Sequence, residues 1–340
     1  GVRILTVEEM AQKASAERPQ AVIAPGTQTW ILYTSGSTGE PKGVSQTHRN
    51  LLHYVMNYTN GLMIGHRDRL SLLFSCAVNG GAHDIFTALL TGASLHVFDI
   101  REQGIAPMAA WIEKEGVTVY CSVPTVLRHF TDQLTGNERL DSVRAIKLIG
   151  EPVYRRDFEA YRRHFPDKCV FFNRLGSTET GSVRWLVLDK ETRFDGVNVP
   201  VGYAVPGNEV LLLEEEGWGE VPAGEVGEIA VKSRYLSPGY WKRPELTARA
   251  FREVPGGDGE RVFRTGDIGR MVDGNCLVHL GRKDFQVKIR GHRVETGKVE
   301  AALAQVEGVR DAVVVGREVR PEELRLVAYL VSDGRKLPTV

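Results

Sequence analysis

Several kinds of site are absent from this sequence of 340 residues, and each absence excludes a class of protein. The four cysteines, Cys76, Cys121, Cys169 and Cys276, lie far apart and form no CxxC pair, which excludes a zinc knuckle and a dithiol redox motif. The histidines show no HExxH spacing, so no metalloprotease-type zinc site is predicted. We expect the cysteines to be buried free thiols in a reducing cytoplasm.

Charge and hydropathy also lack any strong bias. The 43 Lys and Arg residues balance the 43 Asp and Glu residues, so no net field would attract nucleic acid or an anionic membrane. No run of about 18 apolar residues is present, so no membrane span is predicted. With 42% hydrophobic and 25% charged residues, the chain has the composition of a globular protein with a real core. We therefore predict neither a nucleic-acid partner nor a membrane partner.

The first half of the chain alternates between short apolar runs and helix-like spacing, after a strand predicted over 2–6 and a helix over 7–16. Such alternation is typical of an α/β fold with a parallel sheet and flanking helices. A buried strand is predicted over 30–33, and helices are predicted over 48–57 and 84–90. Further strands are predicted over 94–98, 118–122, 145–149 and 170–173.

The pattern changes near residue 195. Short strand-like runs separated by Gly, Pro and Asn predict a β-rich, barrel-like segment with strands over 197–201, 209–213, 226–231 and 275–280. A compact α+β pattern follows, with strands over 286–289, 309–315 and 324–331 and a helix over 298–305. We predict a large core over 1–283, divided into an α/β part (1–195) and a β-rich part (196–283), and a small C-terminal subdomain over 284–340.

The most informative stretch is TSGSTGEPKG, residues 34–43, directly after the predicted strand over 30–33. Its glycines allow successive backbone amides to converge on an anion, while hydroxyl groups and a lysine add donors and positive charge. This combination suits a triphosphate. The Walker A pattern is not met, and a flexible Ser/Gly linker would need neither a lysine after proline nor a preceding strand. The residues expected at the phosphates are Thr34, Ser35, Gly36, Ser37, Thr38, Gly39 and Lys42.

Residues 33–43 resemble, almost letter for letter, the phosphate-binding signature of the acyl-adenylate-forming enzymes. This family includes acyl-CoA synthetases, luciferases and the adenylation domains of nonribosomal peptide synthetases. Four further stretches, 150–153, 173–179, 263–267 and 281–295, resemble the family's motifs in the same order. Residues 286–295 are similar in detail to peptide-synthetase adenylation domains. The resemblance implies ATP and Mg²⁺ as cofactors and attack of a substrate carboxylate on the α-phosphorus.

The resemblance also assigns roles to residues of these motifs. Residues 173–179 resemble the Asn-x-Tyr-Gly-x-Thr-Glu motif, which makes Thr178 a contact of the α-phosphate and Glu179 the metal ligand, alongside Lys42 and Thr38. A helix N-cap at Ser177 or Thr178 is an alternative interpretation of the same residues. The residues assigned to adenine, ribose and phosphate are Gly150, Glu151, Asn173, Leu175, Asp267 and Arg282, and the residue assigned to the hinge is Asp284.

One position departs from the pattern of amino-acid-activating members, which have an aspartate that pairs with the substrate ammonium. Asn79 stands there. A carboxylate–ammonium pair is worth about 4 kcal/mol before desolvation, whereas a neutral hydrogen bond contributes about 1 kcal/mol. We hypothesise an acid without an α-ammonium group: an aryl, hydroxy, keto or fatty acid. The aligned pocket consists of Asn79, Gly80, His83, Cys121, Lys147, Ile149, Arg174, Ser182 and Val183.

Two cations of this pocket, Lys147 and Arg174, could contact a second anionic group on the substrate or could instead point into solvent. The chain as given resembles a piece of the family's domain, without most of the N-terminal part and without the C-terminal segment that carries a catalytic lysine. We therefore expect it to be weakly active or inactive alone. The implied acceptor is the phosphopantetheine of a carrier domain, which we expect in the same polypeptide. The alternatives are an acyl-CoA ligase that uses free coenzyme A and a nucleotide-binding module without turnover.

Overall fold

The computed structural model describes residues 20–34, 41–196, 198–272, 275–283, 286–289, 292–303, 306–320 and 323–332. The elements predicted over 2–6 and 7–16 lie outside these ranges. The first described element is a hairpin in which β1 (Gln28–Thr34) pairs antiparallel with β2 (Lys42–Thr47). The strand predicted over 30–33 is confirmed, but not its burial. Only Leu32 is buried, and Tyr33 is 66% exposed, because a two-stranded ribbon leaves one face open.

Helix α1 (His48–Leu62) follows β2 directly. The Thr47 hydroxyl accepts a hydrogen bond from the backbone N–H of Asn50 at 3.3 Å, and the Asn50 side chain accepts one from the Thr47 N–H at 2.8 Å. This reciprocal cap satisfies two donors that a helix start leaves unpaired. Met63, with φ of 48°, ends the helix. The helix predicted over 48–57 is confirmed and extends one turn further.

A seven-stranded sheet forms the centre of the first half of the chain, in the spatial order β4-β3-β5-β6-β7-β8-β9. Its neighbours from β4 to β7 are parallel, and β7, β8 and β9 are antiparallel. The strands are β3 (Arg69–Leu72), β4 (Ser94–Val97), β5 (Val119–Ser122), β6 (Ala145–Leu148), β7 (Val170–Ser177), β8 (Gly181–Leu188) and β9 (Tyr203–Ala204). The predicted α/β architecture and its parallel strands are confirmed.

Helices cover both faces of this sheet. They are α1, α2 (Asn79–Thr91), α3 (Ile100–Gln103), α4 (Met108–Glu115), α5 (Pro124–Thr131) and α6 (Arg155–His164). On one face α1 and α2 pack against Val119 and Phe172, and on the other α4, α5 and α6 pack against Tyr120 and Ile146. Every residue of β5 and β6 is consequently buried, which explains why both strands are mostly apolar, with Lys147 as the one charged residue.

Helix α2 begins five residues before the predicted start at Asp84. The glycines of its first turn suggest a loop in sequence, yet they allow close packing. A Cβ on Gly81 would lie 2.4 Å from the carbonyl oxygen of Ser75, and one on Gly80 would lie 2.7 Å from Cδ1 of Ile149. Glycine is therefore required for contact at both positions rather than for flexibility.

One alternative interpretation and one prediction near the centre of the chain were wrong. Residues 178–180 form the turn of the β7–β8 hairpin, so Ser177 and Thr178 do not cap a helix. The hairpin forms because a twisted apolar strand follows at once and pairs back on β7. Residues 198–201 carry only an isolated bridge from Asn198 to Tyr154, so the strand predicted over 197–201 is absent from the described residues.

The β-rich segment folds as an antiparallel sheet of five strands. Strand β13 runs through its middle, pairing with β11, β12 and β14. In the described residues β10 does not pair back to the other edge, so the sheet is open and the barrel-like expectation is corrected. The elements are β10 (Asn208–Leu213), β11 (Val226–Ser233), α7 (Pro244–Ala250), β12 (Phe251–Glu253), β13 (Arg261–Val272) and β14 (Cys276–Arg282).

The C-terminal α+β pattern is confirmed element by element. Strands β15 (Gln286–Ile289) and β16 (His292–Glu295) form one hairpin, and β17 (Val309–Arg320) and β18 (Glu323–Ser332) form another. Between them lies α8 (Thr296–Leu303), which begins two residues before the predicted helix over 298–305. The domain boundaries at 195 and 283 stay predictions, and the hinge residue Asp284 lies outside the described residues.

The cysteines differ from expectation at one position. Cys121, Cys169 and Cys276 are buried free thiols, but Cys76 is exposed, because it lies in the loop before α2. In the part of the chain that the structure describes, none of the helices has the length and apolar character needed to cross a bilayer.

Candidate active site

The predicted site residues gather at one edge of the seven-stranded sheet. Parallel strands bring their carboxyl ends to the same edge, where open α/β sheets bind ligands. Strand β6 ends at Leu148, and Ile149 and Gly150 follow in the next loop. The neighbouring β7 continues past this point, so that Arg174 and Leu175 extend beyond the end of β6.

Lys42, Glu179 and Tyr240 form a compact polar cluster beside this edge. The Lys42 ammonium lies 3.3 Å from Oε1 of Glu179 and donates a hydrogen bond to the Tyr240 hydroxyl at 2.8 Å. The Tyr240 hydroxyl in turn donates to Oε1 of Glu179 at 3.0 Å. The lysine and glutamate side chains are only 11% and 2% exposed. The cluster holds a buried carboxylate with its counter-ion and a hydroxyl donor.

Backbone hydrogen bonds hold the three segments that carry this cluster. The Trp241 N–H donates to the Gly43 carbonyl at 2.7 Å, and the Ser45 N–H donates to the Gly239 carbonyl at 3.0 Å. The Ser237 N–H donates to the Glu179 carbonyl at 2.8 Å. The end of the phosphate loop, the β7–β8 turn and the segment after β11 are therefore fixed relative to each other.

The phosphate loop itself lies between β1 and β2. Its two ends, Thr34 and Lys42, are cross-strand partners in the hairpin. The Thr34 hydroxyl is buried and has no hydrogen-bond partner among the described residues. The other predicted phosphate contacts fall outside those residues; they are Ser35, Gly36, Ser37, Thr38 and Gly39.

A cleft of about 1920 Å³ opens at the same edge of the sheet. Its lining includes all six residues that were assigned to adenine, ribose and phosphate on the basis of the later motifs, Gly150, Glu151, Asn173, Leu175, Asp267 and Arg282. These residues come from four separate stretches of the sequence, and a concave, mostly apolar cleft with a few polar groups is typical of a small-molecule site.

Within the cleft, two of the residues predicted to bind the nucleotide, Glu151 and Asn173, form hydrogen bonds with other parts of the protein. The Glu151 carboxylate accepts hydrogen bonds from the Thr125 N–H at 2.9 Å and the Thr125 hydroxyl at 2.7 Å, which fixes the start of α5. The Asn173 amide donates to the carbonyls of Val199 and Pro200 at 3.2 and 2.9 Å. Glu151 and Asn173 therefore shape the cleft walls, and Leu175 presents an aliphatic surface.

Asp267 and Arg282 face each other across the β13–β14 pair. The guanidinium donates to the carboxylate at 2.8 Å, and His279 Nε2 lies 3.5 Å from the same oxygen. The side chains of Arg282 and Asp267 are 14% and 13% exposed. The carboxylate can accept hydrogen bonds from a diol while Arg282 holds its orientation.

A buried ion pair lies beneath the predicted acid pocket. The Lys147 ammonium binds Oδ1 of Asp84, with side-chain exposures of 0% and 1%, and lies 3.8 Å from the centre of the Tyr58 ring. Burial alone would lower the pKa of Lys147, but the Asp84 carboxylate raises that pKa well above its ordinary value. The expectation that Lys147 points into solvent is thus wrong, because Asp84 binds it in the core.

Arg174, Tyr54 and His83 form a second array in this pocket. The His83 ring stacks on Tyr54 with centroids 3.5 Å apart, and Arg174 donates to the Tyr54 hydroxyl at 2.6 Å. Burial holds the pKa of His83 well below its ordinary value, and the charges of Arg174 and Lys147 lower it further. The imidazole is therefore neutral at pH 7.

The remaining pocket residues are smaller or apolar. Asn79 begins α2, and its side-chain oxygen is buried without a partner among the described residues. Burial, followed by the nearby Asp84 charge, raises the pKa of Cys121, which keeps the thiol protonated. Ser182 and Val183 lie on β8, where Val183 packs into the apolar cluster of the β-rich sheet. The contacts of these residues with a substrate stay predictions.

Sequence analysis missed Tyr240 and the partnership of Asp84. The signal for Tyr240 was weak, an aromatic residue just after a Ser-Pro-Gly turn, and the Asp84–Lys147 pair joins residues 63 positions apart. Among the described residues no group of three or more His, Cys, Asp or Glu side chains could hold a metal alone. Magnesium is usually bound by one or two carboxylates together with substrate phosphates, so Glu179 fits an ion that enters with a triphosphate.

Comparison with known proteins agrees with this geometry. A family model described as "AMP-binding enzyme" matches residues 3–241. Tyrocidine synthase 1 of Brevibacillus parabrevis is 30% identical over 340 residues, which cover 99% of this chain and 30% of that protein. The adenylation domain AlmE of Vibrio cholerae, solved with glycyl-adenosine-5'-phosphate, is 26% identical with a TM-score of 0.78, covering 96% of this chain and 60% of that one.

A second solved structure is NpsA-ThdA of Klebsiella oxytoca, an artificially fused Adenylation-PCP di-domain NRPS. It is 27% identical with a TM-score of 0.78, and the match covers 97% of this chain and 66% of that one. The chain thus spans about a third of tyrocidine synthase 1 and about two thirds of the solved chains. The resemblance inferred from the motifs is confirmed, and because the family match extends over more than half of its length, the chain belongs to the AMP-binding enzyme family.

Proposed function

We propose that this chain binds ATP and a carboxylic acid and joins them as an acyl-adenylate, with release of pyrophosphate. The observation that carries the proposal is the contact of Lys42 with Glu179 at 3.3 Å, next to a cleft lined by Gly150, Leu175 and Asp267. Two motifs separated by more than a hundred residues meet there, and a lysine beside a carboxylate supplies the groups that could bind a triphosphate and its metal ion.

We propose that the acyl group then passes to the phosphopantetheine thiol of a carrier domain in the same polypeptide. The names of the relatives support this step. Tyrocidine synthase 1 is named as a synthase, and NpsA-ThdA is described as an Adenylation-PCP di-domain NRPS. The reaction would take place in the cytoplasm, which the free thiols of Cys76, Cys121, Cys169 and Cys276 support.

In the proposed reaction a carboxylate oxygen of the acid attacks the α-phosphorus of ATP. A mixed carboxylic–phosphoric anhydride forms through a new bond from the carboxylate oxygen to the α-phosphorus. The bond from the α-phosphorus to the oxygen that bridges to the β-phosphate breaks, so pyrophosphate leaves with the electron pair and no proton moves. Lys42 offsets the negative charge of the phosphates, and Thr178 positions the α-phosphate. Glu179 would hold Mg²⁺, which supplies further positive charge to the triphosphate when it is bound.

The nucleoside would occupy the cleft. Gly150, with φ of 87°, allows the chain after β6 to turn beside the base, and Leu175 covers the base from β7. Asp267 would accept hydrogen bonds from the ribose hydroxyls while Arg282 holds its carboxylate. Catalysis then consists of positioning and charge stabilisation, without a protein nucleophile.

We propose further that the acid lacks an α-ammonium group. At the first turn of α2 the chain has Asn79, a neutral amide, where the aspartate of amino-acid-activating members is expected. The nearest carboxylate in the pocket, Asp84, is bound to Lys147 and is 1% exposed. No described side chain of the pocket therefore offers an uncompensated negative charge to a substrate ammonium.

ATP–pyrophosphate exchange with the full-length protein tests the proposal. We expect exchange with one or more des-amino acids and none with ordinary α-amino acids, and loss of exchange in Glu179→Gln. The matched control is Glu216→Gln, since Glu216 is exposed in the loop between β10 and β11. Nucleotide binding without exchange for any acid would refute adenylation, and acyl transfer to free coenzyme A but not to a carrier domain would refute the carrier step.

A further inference from the structure

We propose that Arg174 is a specificity-determining residue that selects acids carrying a second carboxylate, an inference that rests on the proposed function. The substrate class is then a dicarboxylic acid, in which one carboxylate is activated and the other binds the guanidinium. The pocket has two cations, Lys147 and Arg174, and only one that is not already paired with a carboxylate can bind a carboxylate of the substrate.

Lys147 is excluded by its environment. Its ammonium is bound to Asp84, and neither side chain is more than 1% exposed. The pair carries no net charge, and because both side chains are buried it presents no free ammonium to a substrate. A substrate carboxylate that competed for Lys147 would leave Asp84 as an uncompensated buried charge, which is strongly unfavourable.

Arg174 has no such partner. Its guanidinium donates to the Tyr54 hydroxyl at 2.6 Å and lies 5.0 Å from the Tyr54 ring centre, and no carboxylate of the described residues lies within 4.0 Å. The side chain is half-buried and lines the cleft. A neutral hydroxyl uses one of five N–H donors, so the planar fork remains able to bind a carboxylate through two parallel hydrogen bonds.

The position of Arg174 also fits an acyl chain. Its Nη2 lies so close to Gly176 that a Cβ there would be 3.1 Å away, which places the guanidinium next to the turn that carries Glu179. The Tyr54 ring that contacts Arg174 also stacks on His83, whose Nδ1 has no partner among the described residues. Arg174 and His83 therefore share one aromatic wall of the predicted acid pocket.

Charge balance during the reaction supports the same conclusion. The charged side chains at the predicted pocket are Arg174, Lys147 and Asp84, and together they carry one positive charge. The carboxylate that attacks ATP loses its own charge when the mixed anhydride forms. A second carboxylate keeps its charge throughout, so it neutralises Arg174 before and after the reaction.

The test uses non-hydrolysable acyl-sulfamoyl adenosines, which bind without turnover. Matched pairs end in a carboxylate or in a methyl group: succinyl with butanoyl, glutaryl with pentanoyl, adipoyl with hexanoyl, and meta-carboxybenzoyl with meta-methylbenzoyl. Calorimetry on the full-length protein gives a ratio of dissociation constants for each pair. For the best pair we expect the carboxylate probe to bind about 10- to 100-fold more tightly, the range for a charge-assisted hydrogen-bonded pair.

Three variants locate the effect. Arg174→Met should abolish the preference for the carboxylate probe without weakening the methyl probe, and Arg174→Lys should keep part of it. Arg155→Met is the matched control, because Arg155 also lines the cleft but donates to the carbonyls of Phe194 and Gly196. An unchanged preference in Arg174→Met, equal loss of both probes, or tighter binding of methyl probes by the wild-type protein would overturn the inference.

The same protein distinguishes this inference from the proposed function. Pyrophosphate exchange reports adenylation, whereas the probes report only recognition in the pocket. A carboxylate preference that depends on Arg174, in a protein with no pyrophosphate exchange, would support the role of Arg174 and contradict the proposed adenylation activity. Exchange that is fastest with monocarboxylic acids would uphold the enzyme and refute the role of Arg174.

Discussion

The buried pair of Lys147 and Asp84 provides a quantitative test of the pocket's construction. Replacing Lys147 by Met leaves the Asp84 carboxylate in a site where both side chains are at most 1% exposed. Its second oxygen already has no hydrogen-bond partner among the described residues. Removing one partner of a buried pair typically costs about 3–5 kcal/mol. Replacing both partners removes the buried charge altogether, so Lys147→Met with Asp84→Asn should cost far less than the sum of the single variants.

The assay is urea unfolding followed by tryptophan fluorescence, because Trp30 and Trp185 pack in the same apolar cluster as the helices that cover the pair. We expect Lys147→Met to lower the free energy of unfolding by about 3 kcal/mol or more. The double variant should regain at least about 2 kcal/mol of that free energy.

The exposed pair of Lys232 and Glu209, 3.0 Å apart at the surface of the β-rich sheet, is the control, and its double-mutant cycle should show little coupling. Additive effects at Lys147 and Asp84, or a cost below about 1 kcal/mol for Lys147→Met, would refute this description of the pocket.

Three further predictions concern single residues. Tyr240→Phe removes the hydroxyl that donates to Glu179, so exchange should fall about 10-fold with unchanged folding; wild-type exchange rates would contradict the role of the hydroxyl. Because the folded state lowers the pKa of His83, the unfolded chain binds the proton more readily, and stability should be complete above about pH 6.5 and decline below it. The melting temperature should depend less steeply on pH in His83→Gln than in the wild-type protein. An identical pH dependence would contradict this role of His83. Gly80→Val adds atoms where even a Cβ would lie 2.7 Å from Ile149, so acid binding should be lost while nucleotide binding is kept; equal acid affinity in the variant would show that Gly80 does not border the pocket.

The parts of the fold that depend on local sequence were predicted well. Fully buried strands such as 119–122 and 145–148 are short, mostly apolar runs between helical segments, and the structure has strands at both places. The β-rich segment was harder, because β12 and β13 alternate irregularly. Strand β13 carries register shifts opposite β11 and β14, which break the period of two.

In the site, too, features that depend on local sequence were easier to predict than contacts between distant residues. Long motifs identified Lys42, Glu179 and the cleft residues, because many consecutive residue types must agree there. The partnership of Asp84 with Lys147, and of Arg174 with Tyr54, joins residues 63 and 120 positions apart, and no local pattern encodes such a contact. A helix start at Ser177 or Thr178 stayed open as an alternative to the turn at 178–180, because Ser and Thr suit both structures.

The most direct test is a structure of the full-length protein with magnesium and a non-hydrolysable ATP analogue. We predict adenine between Gly150 and Leu175, the ribose at Asp267, and a magnesium ion about 2.1 Å from a Glu179 carboxylate oxygen with Lys42 at the phosphates. A triphosphate bound elsewhere on the molecule, with no metal at Glu179, would contradict the account.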